Sequence, residues 1–125
     1  MKSCYCGSPL SFEKCCQLYI KGLSKVPTAE ALMRSRYSAF ATTAIEYLIE
    51  TTHRSVRNQL NKQELTNWST TNHWIKLEVL ETTETSVRFK AYYLDSQLTP
   101  QIHHEFSTFK KEAGLWYYEK GTFRE

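Results

Sequence analysis

Aspartate is almost missing from this 125-residue sequence, where Asp95 stands alone, and glycine (4) and proline (3) are scarce. Charge interrupts every apolar stretch before the ~20 residues that a membrane helix needs, and residues 1–20 lack the apolar centre of a signal peptide. The expected protein is therefore cytoplasmic, with no membrane association. No repeat or low-complexity tract appears, and no cysteine follows residue 16. What remains is 41 % hydrophobic and 14 % aromatic, enough to pack a core in a chain of this length.

The four cysteines form one cluster, Cys4-x-Cys6, eight residues, then Cys15-Cys16. In a reducing compartment such a cluster points to a metal site rather than a disulfide framework. A disulfide between adjacent cysteines would close a strained ring, and independent redox thiols have no reason to gather. Four thiolates on two turn-forming segments suit the tetrahedral preference of zinc. They also leave no open coordination position, so the expected role is structural: one zinc ion held by Cys4, Cys6, Cys15 and Cys16. Four bound thiolates subtract four charges and the ion restores two, which takes the formal +3 to about +1 and leaves little for nucleic-acid attraction.

The segment from Gly22 to Pro27 reads as a linker, which places a boundary between a module at 1–22 and a domain at 23–125. From Thr28, a candidate N-cap, Ala29, Leu32, Met33, Tyr37 and Phe40 recur at helical spacing to about Ala41. Thr43 with Glu46, and Asn61 with Glu64, resemble capping boxes for two more helices. Beyond Asn72 the period becomes two: Ile75, Leu77 and Val79, then Val87, Phe89, Ala91 and Tyr93. Two further strands span about 102–109 and 115–123, joined at Glu112-Ala113-Gly114. Helices first and an antiparallel sheet afterwards predict an α+β domain with helices covering one sheet face.

Arg36 falls inside the apolar stripe of the first of these helices, with Arg34 at its edge. A cation facing a core needs a partner, and Glu105, which shares a strand face with His103, Ser107 and Phe109, is the candidate. Contact between Arg36 and Glu105 is expected, as a helix-to-sheet ion pair or as the polar floor of a pocket for a small anionic ligand. Tyr37, Tyr93, Trp116 and Tyr118 are its candidate walls, with Ser107 and Phe109 beside Glu105. Trp116, Tyr117 and Tyr118 alternate faces, so at least one should be exposed. His53, His73, His103 and His104 each read as a surface or packing residue, because neighbours on a strand point to opposite faces and no nucleophile with its base is evident.

Cys4-Tyr5-Cys6-Gly7-Ser8-Pro9 followed by Cys15-Cys16 resembles the SEC-C motif, the zinc-binding element of the C-terminal tail of the preprotein translocase ATPase SecA. The four matching cysteines are that motif's metal ligands. Leu32-Met33-Arg34-Ser35-Arg36-Tyr37-Ser38-Ala39-Phe40, Tyr47-Leu48, Thr51-Thr52-His53, Glu105-x-Ser107-x-Phe109 and Trp116-x-Tyr118-x-x-Gly121 extend the likeness to the YchJ-like family of bacterial proteins. The resemblance implies a nuclear transport factor 2-like (NTF2-like) cone, a curved sheet wrapped on helices, behind the zinc module. Many members carry a second SEC-C motif at the C-terminus, which this sequence does not. The family is of uncharacterised function, so the resemblance implies fold and zinc but no reaction.

Three functions are compatible with these features. The first is a protein-interaction adaptor whose zinc module docks on a partner. The second is a small-molecule-binding protein or cryptic enzyme using the cone around Arg36. The third, disfavoured by charge, is nucleic-acid binding through Lys2, Lys14, Lys21 and Lys25 beside Tyr5 and Tyr19. Cones of this kind often dimerise through the exposed sheet face; no feature here compels a homodimer.

Overall fold

The computed structural model describes residues 3–124; Lys2, one lysine of the nucleic-acid reading, lies outside them. A 3-10 turn (Phe12–Lys14) and α1 (Cys16–Ile20) carry the second cysteine pair. They precede α2 (Ala29–Thr42), α3 (Ile45–Glu50), α4 (Arg54–Arg57) and α5 (Lys62–Thr71). Strands β1 (His73–Thr82), β2 (Ser86–Leu94), β3 (Pro100–Glu112) and β4 (Leu115–Arg124) then form one antiparallel sheet in the order β1-β2-β3-β4. The α+β class and the four strands are as expected.

Local chemistry accounts for most boundaries. The Thr28 hydroxyl accepts from the Ala31 amide at 3.0 Å and starts α2, and the Asn61 side chain accepts from Glu64 N at 3.0 Å and starts α5. Thr43 departs from expectation: it closes α2 in the left-handed region (φ 60°), while Ala44 precedes α3 without a side-chain cap. Ala113 and Gly114, both at positive φ, form the two-residue turn between β3 and β4. The short α4 carried no periodicity by which to foresee it; the His53 ring caps it, accepting from Ser55 N at 3.2 Å.

The core lies between the helices and the concave sheet face. Leu32 and Leu48 from the helices and Val87 from β2 are fully buried, with Phe89, Ala91 and Phe109 beside them. Replacing either leucine by alanine would cost about 2–5 kcal/mol. Three irregularities set which residues face inward. A shift between Trp74 and Lys76 makes Ile75 the extra residue, so Ile75 is 57 % exposed and Trp74 packs against the core instead. Another follows at Val79/Glu81, and a third at Thr108/Phe109 opposite β4. Across this last one Phe109 pairs with Tyr118 and Ser107 with Gly121, which brings Tyr118 and Gly121 to the same face. None of Trp116, Tyr117 and Tyr118 is exposed, contrary to expectation: Trp116 is buried, and the half-buried Tyr117 lies against the His53 ring at 5.7 Å.

The cysteine segment packs onto α2. Cys4, Cys6 and Cys16 belong to the same buried cluster as Leu32 and Ala39, and Arg34 donates from Nη1 to Cys6 O at 2.6 Å while holding Glu30 at 2.8 Å.

Candidate functional site

Two constellations stand out: the cysteine cluster and the cavity of the cone. Cys4 and Cys6 lie on a loop pinned by a bridge between Ser3 and Ser11 and by Cys4 N donating to Leu10 O at 2.7 Å. Gly7, at φ 92°, donates to Cys4 O and turns the chain, a conformation that favours glycine. Cys15 precedes α1 and Cys16 opens it. The four Sγ atoms lie within 4.8 Å of one another, with Cys6 and Cys15 at 3.8 Å. A tetrahedral ion with metal–sulfur bonds of about 2.3 Å requires sulfur separations of about 3.8 Å, so the donor set fits a metal ion with slight contraction. The cysteines are not paired as disulfides. A hydrogen bond from the Cys16 thiol is the main influence holding Cys6 down at about 5, and that same interaction with burial pushes Cys16 up. A thiolate is thus already favoured within the cluster.

The cavity has a volume of ≈ 340 Å³ and opens between the helices and the concave sheet. Met33, Tyr37 and Phe40 of α2, Leu65 and Trp68 of α5, and Trp74, Phe89 and Phe109 of the sheet give it mainly apolar walls. Its polar groups are few: Arg36, His103, Glu105, Ser107 and Tyr118.

Arg36 does not pair with Glu105, contrary to expectation. Its Nη1 donates to Leu48 O (2.9 Å), Thr51 Oγ1 (2.8 Å) and Thr52 Oγ1 (3.3 Å), and its guanidinium lies 4.5 Å from the Tyr118 ring centre. The physical reason is competition on both sides. The end of α3 offers a carbonyl that no helical amide satisfies, a natural acceptor for a cation. Glu105 meanwhile receives His103 Nε2 at 2.7 Å, the Ser107 hydroxyl, and the Tyr118 hydroxyl at 3.3 Å. Tyr118 stands between them, its ring against the cation and its hydroxyl on the carboxylate. Burial pulls Arg36 below its ordinary value, whereas Tyr118 is raised by burial and then by the Glu105 charge.

Backbone placement makes this possible. The segment after α3 lies along β4, with Tyr118 N donating to Thr51 O at 2.7 Å and His53 N donating to Tyr118 O at 2.8 Å. These bonds carry the two threonine hydroxyls to Arg36. Gly121 supplies the space: a β-carbon there would lie 2.6 Å from the Tyr118 hydroxyl and 2.7 Å from Glu105 Cδ.

Of the eight pocket candidates, Arg36, Tyr37, Glu105, Ser107, Phe109 and Tyr118 line this cavity. Tyr93 stands behind it, packed at 5.2 Å on Trp68 and 5.3 Å on Trp74. Trp116 lies in a separate recess with Thr28 and Lys111, where its indole donates to Pro27 O at 3.3 Å. Sequence reasoning missed Trp68, Trp74 and Phe123, which line the cavity, and read His103 as a surface or packing residue although the strand period already placed it on the face of Glu105. His53 is buried and donates from Nε2 to Glu112 at 2.9 Å, a packing role as expected.

No helix among the described residues is long and apolar enough to cross a membrane. Residues 28–121 match the family described as YchJ, middle NTF2-like domain. The UPF0225 protein GSU1048 of Geobacter sulfurreducens is 36 % identical, covering 94 % of this chain and 77 % of its own length. The solution structure of a SEC-C motif containing protein from Rhodopseudomonas palustris superposes with a TM-score of 0.90 at 30 % identity, over 99 % of this chain and all of that one. The crystal structure of a SEC-C motif containing protein from Psychrobacter arcticus gives 0.83 at 32 % identity, over 100 % and 84 %. With the cone, the cysteine cluster and these likenesses together, the chain belongs to the YchJ-like UPF0225 family and carries its NTF2-like domain.

Proposed function

We propose that this chain is a small-molecule-binding protein whose cone takes a ligand with an apolar body and one anionic group, and whose four cysteines hold one structural zinc ion. The observation that carries the ligand reading is Arg36. All of its hydrogen bonds come from Nη1, so Nε and Nη2 donate to no protein acceptor among the described residues, in a cavity whose walls are mainly apolar. A cation with donors to spare is a site for a carboxylate, sulfonate or phosphate, and the aromatic walls suit a ring. The volume lies within the range of about 300–1,000 Å³ usual for ligand sites. Four converging thiolates with no carboxylate among them favour zinc, which they coordinate completely.

Titration with 2-naphthoate, followed by amide and indole NMR shifts, tests the ligand reading. Expected are shifts centred on Arg36, on the Trp68 and Trp74 indoles and on β3, with binding about tenfold tighter than for neutral 2-methylnaphthalene. Equal affinity for both, shifts confined to the outer sheet face, or no binding would reject it.

A docking role for the cysteine module is the second reading, favoured by the exposure of Tyr5, Leu10 and Leu23 beside it (49, 52 and 70 %). It ranks below the cavity because scattered exposed apolar residues are common. A variant with Tyr5 and Leu10 replaced by serine should keep its zinc and lose a partner captured by the wild type from native lysate. Retention of the same partner would reject docking through these residues.

A further inference from the structure

We propose that the cavity is also a proton-transfer site in which His103 is the general base and Glu105 the residue that positions it. The proposal rests on the reading of the cavity as a small-molecule site and adds a chemistry to it.

On β3 the period of two places His103, Glu105 and Ser107 on the concave face. Glu105 offers two oxygens and no hydrogen as a carboxylate, so the 2.7 Å contact with His103 requires the proton on His103 Nε2. The lone pair of the neutral ring is then on Nδ1. That atom meets no protein hydrogen-bond partner among the described residues, and the ring lines the cavity, 4.9 Å from the Phe123 ring and 6.2 Å from that of Trp68. The other Glu105 oxygen is held by Ser107 and Tyr118, and Gly121 leaves room for both, so the carboxylate has little freedom to release the imidazole. An oriented base in a mainly apolar cavity, facing the same space as a cation with unused donors, is the equipment for removing a proton from carbon.

The substrate class is a small apolar molecule with an acidic C–H next to a carbonyl. The proton passes from carbon to Nδ1, the C–H electron pair delocalises onto the carbonyl oxygen as an enolate, and Arg36 faces that oxygen. Return of the proton from Nδ1 to another carbon of the same system gives an isomer. Atoms and charge balance with no oxidant, reductant or co-substrate.

The probe is 5-nitrobenzisoxazole, a flat apolar molecule that a base opens by removing its single acidic C–H proton. The freed electron pair forms a nitrile as the N–O bond breaks, the oxygen leaves as a coloured phenoxide, and the proton taken by Nδ1 passes to solvent. Wild-type protein is expected to open it faster than free imidazole at equal concentration, with His103→Gln slower by about 100-fold. Glu105→Gln should be slower by about tenfold, and nitrogen-15 NMR should show it losing the preference for the proton on Nε2 that the wild-type ring displays. A rate unchanged in His103→Gln, or a rate lost in Glu105→Gln while His103→Gln keeps it, overturns the assignment. Should His103→Gln fail to fold, the wild-type ring decides, since a proton resident on Nδ1 overturns the proposal by itself. NMR shifts separate the two readings: entry of the probe without turnover, or no entry of the probe where 2-naphthoate still enters, removes only the proton-transfer proposal, whereas no entry of 2-naphthoate removes the binding reading and this one with it.

Discussion

Tyr118 does two jobs because its ring and its hydroxyl have opposite electrostatic character. The ring face attracts the Arg36 guanidinium, and the hydroxyl donates to Glu105. One aromatic residue thus keeps a cation and an anion apart in the same cavity, where direct pairing would have used up both. Gly121 is the space that permits it. Gly121→Ala places a methyl group against Tyr118 and Glu105, with an expected loss of about 1–3 kcal/mol in denaturant unfolding and weakened binding of 2-naphthoate. Outside the cavity, a hydrogen bond from His53 and then the nearby Arg54 hold Glu112 below the usual carboxylate range. A group depressed in the folded state stabilises fully above its unfolded value and loses that contribution as pH falls through the folded one. The melting-temperature advantage of wild type over Glu112→Gln should therefore be largest near neutrality and shrink as pH drops through the carboxylate range. A difference constant with pH would contradict this.

Among the elements, α2 is the shared wall of both constellations. Arg34 reaches from it to the cysteine loop and Arg36 to the cavity, two residues apart and so on different sides of the helix. Serines replace bulk where partners approach closely: Ser35 meets the Tyr47 hydroxyl at 2.6 Å, and Ser38 lies 3.6 Å from Cys4 Sγ. The end of α2 is costly, because Thr43 is β-branched and left-handed at φ 60°. Thr43→Gly should stabilise the protein by about 1 kcal/mol in chemical denaturation, since Ser69, which donates to Thr43 at 3.3 Å, keeps its shorter bond to Phe40 O at 2.6 Å. A destabilised variant would mean that the Thr43 hydroxyl outweighs the backbone strain.

For the molecule as a whole, the cysteine segment shares its buried cluster with α2, so the zinc proposed there bears on the stability of the cone. Chelation with phenanthroline should remove one zinc per chain by atomic absorption and lower the melting temperature of the whole protein by roughly 10 °C or more. A sheet transition that stays in place after the metal leaves would show that the segment folds independently of the cone. The cavity depends on the same architecture: its walls come from α2, α5 and the sheet, while its cation is anchored by the end of α3.

Much of this was legible in one dimension. The cysteine spacing, the α2 stripe with Arg36 inside it and the alternation of His103, Glu105, Ser107 and Phe109 are local patterns, set by helix and strand periods and by the donor chemistry of sulfur. Tertiary structure decided what those periods cannot encode. Bulges changed parity, exchanging Ile75 for Trp74 in the core and bringing Tyr118 and Gly121 to one face. The end of α3 took Arg36 from Glu105, leaving the carboxylate to orient His103. Hydrogen bonds go to whichever partner arrives at about 3 Å, and which partner arrives is fixed by how separate elements pack.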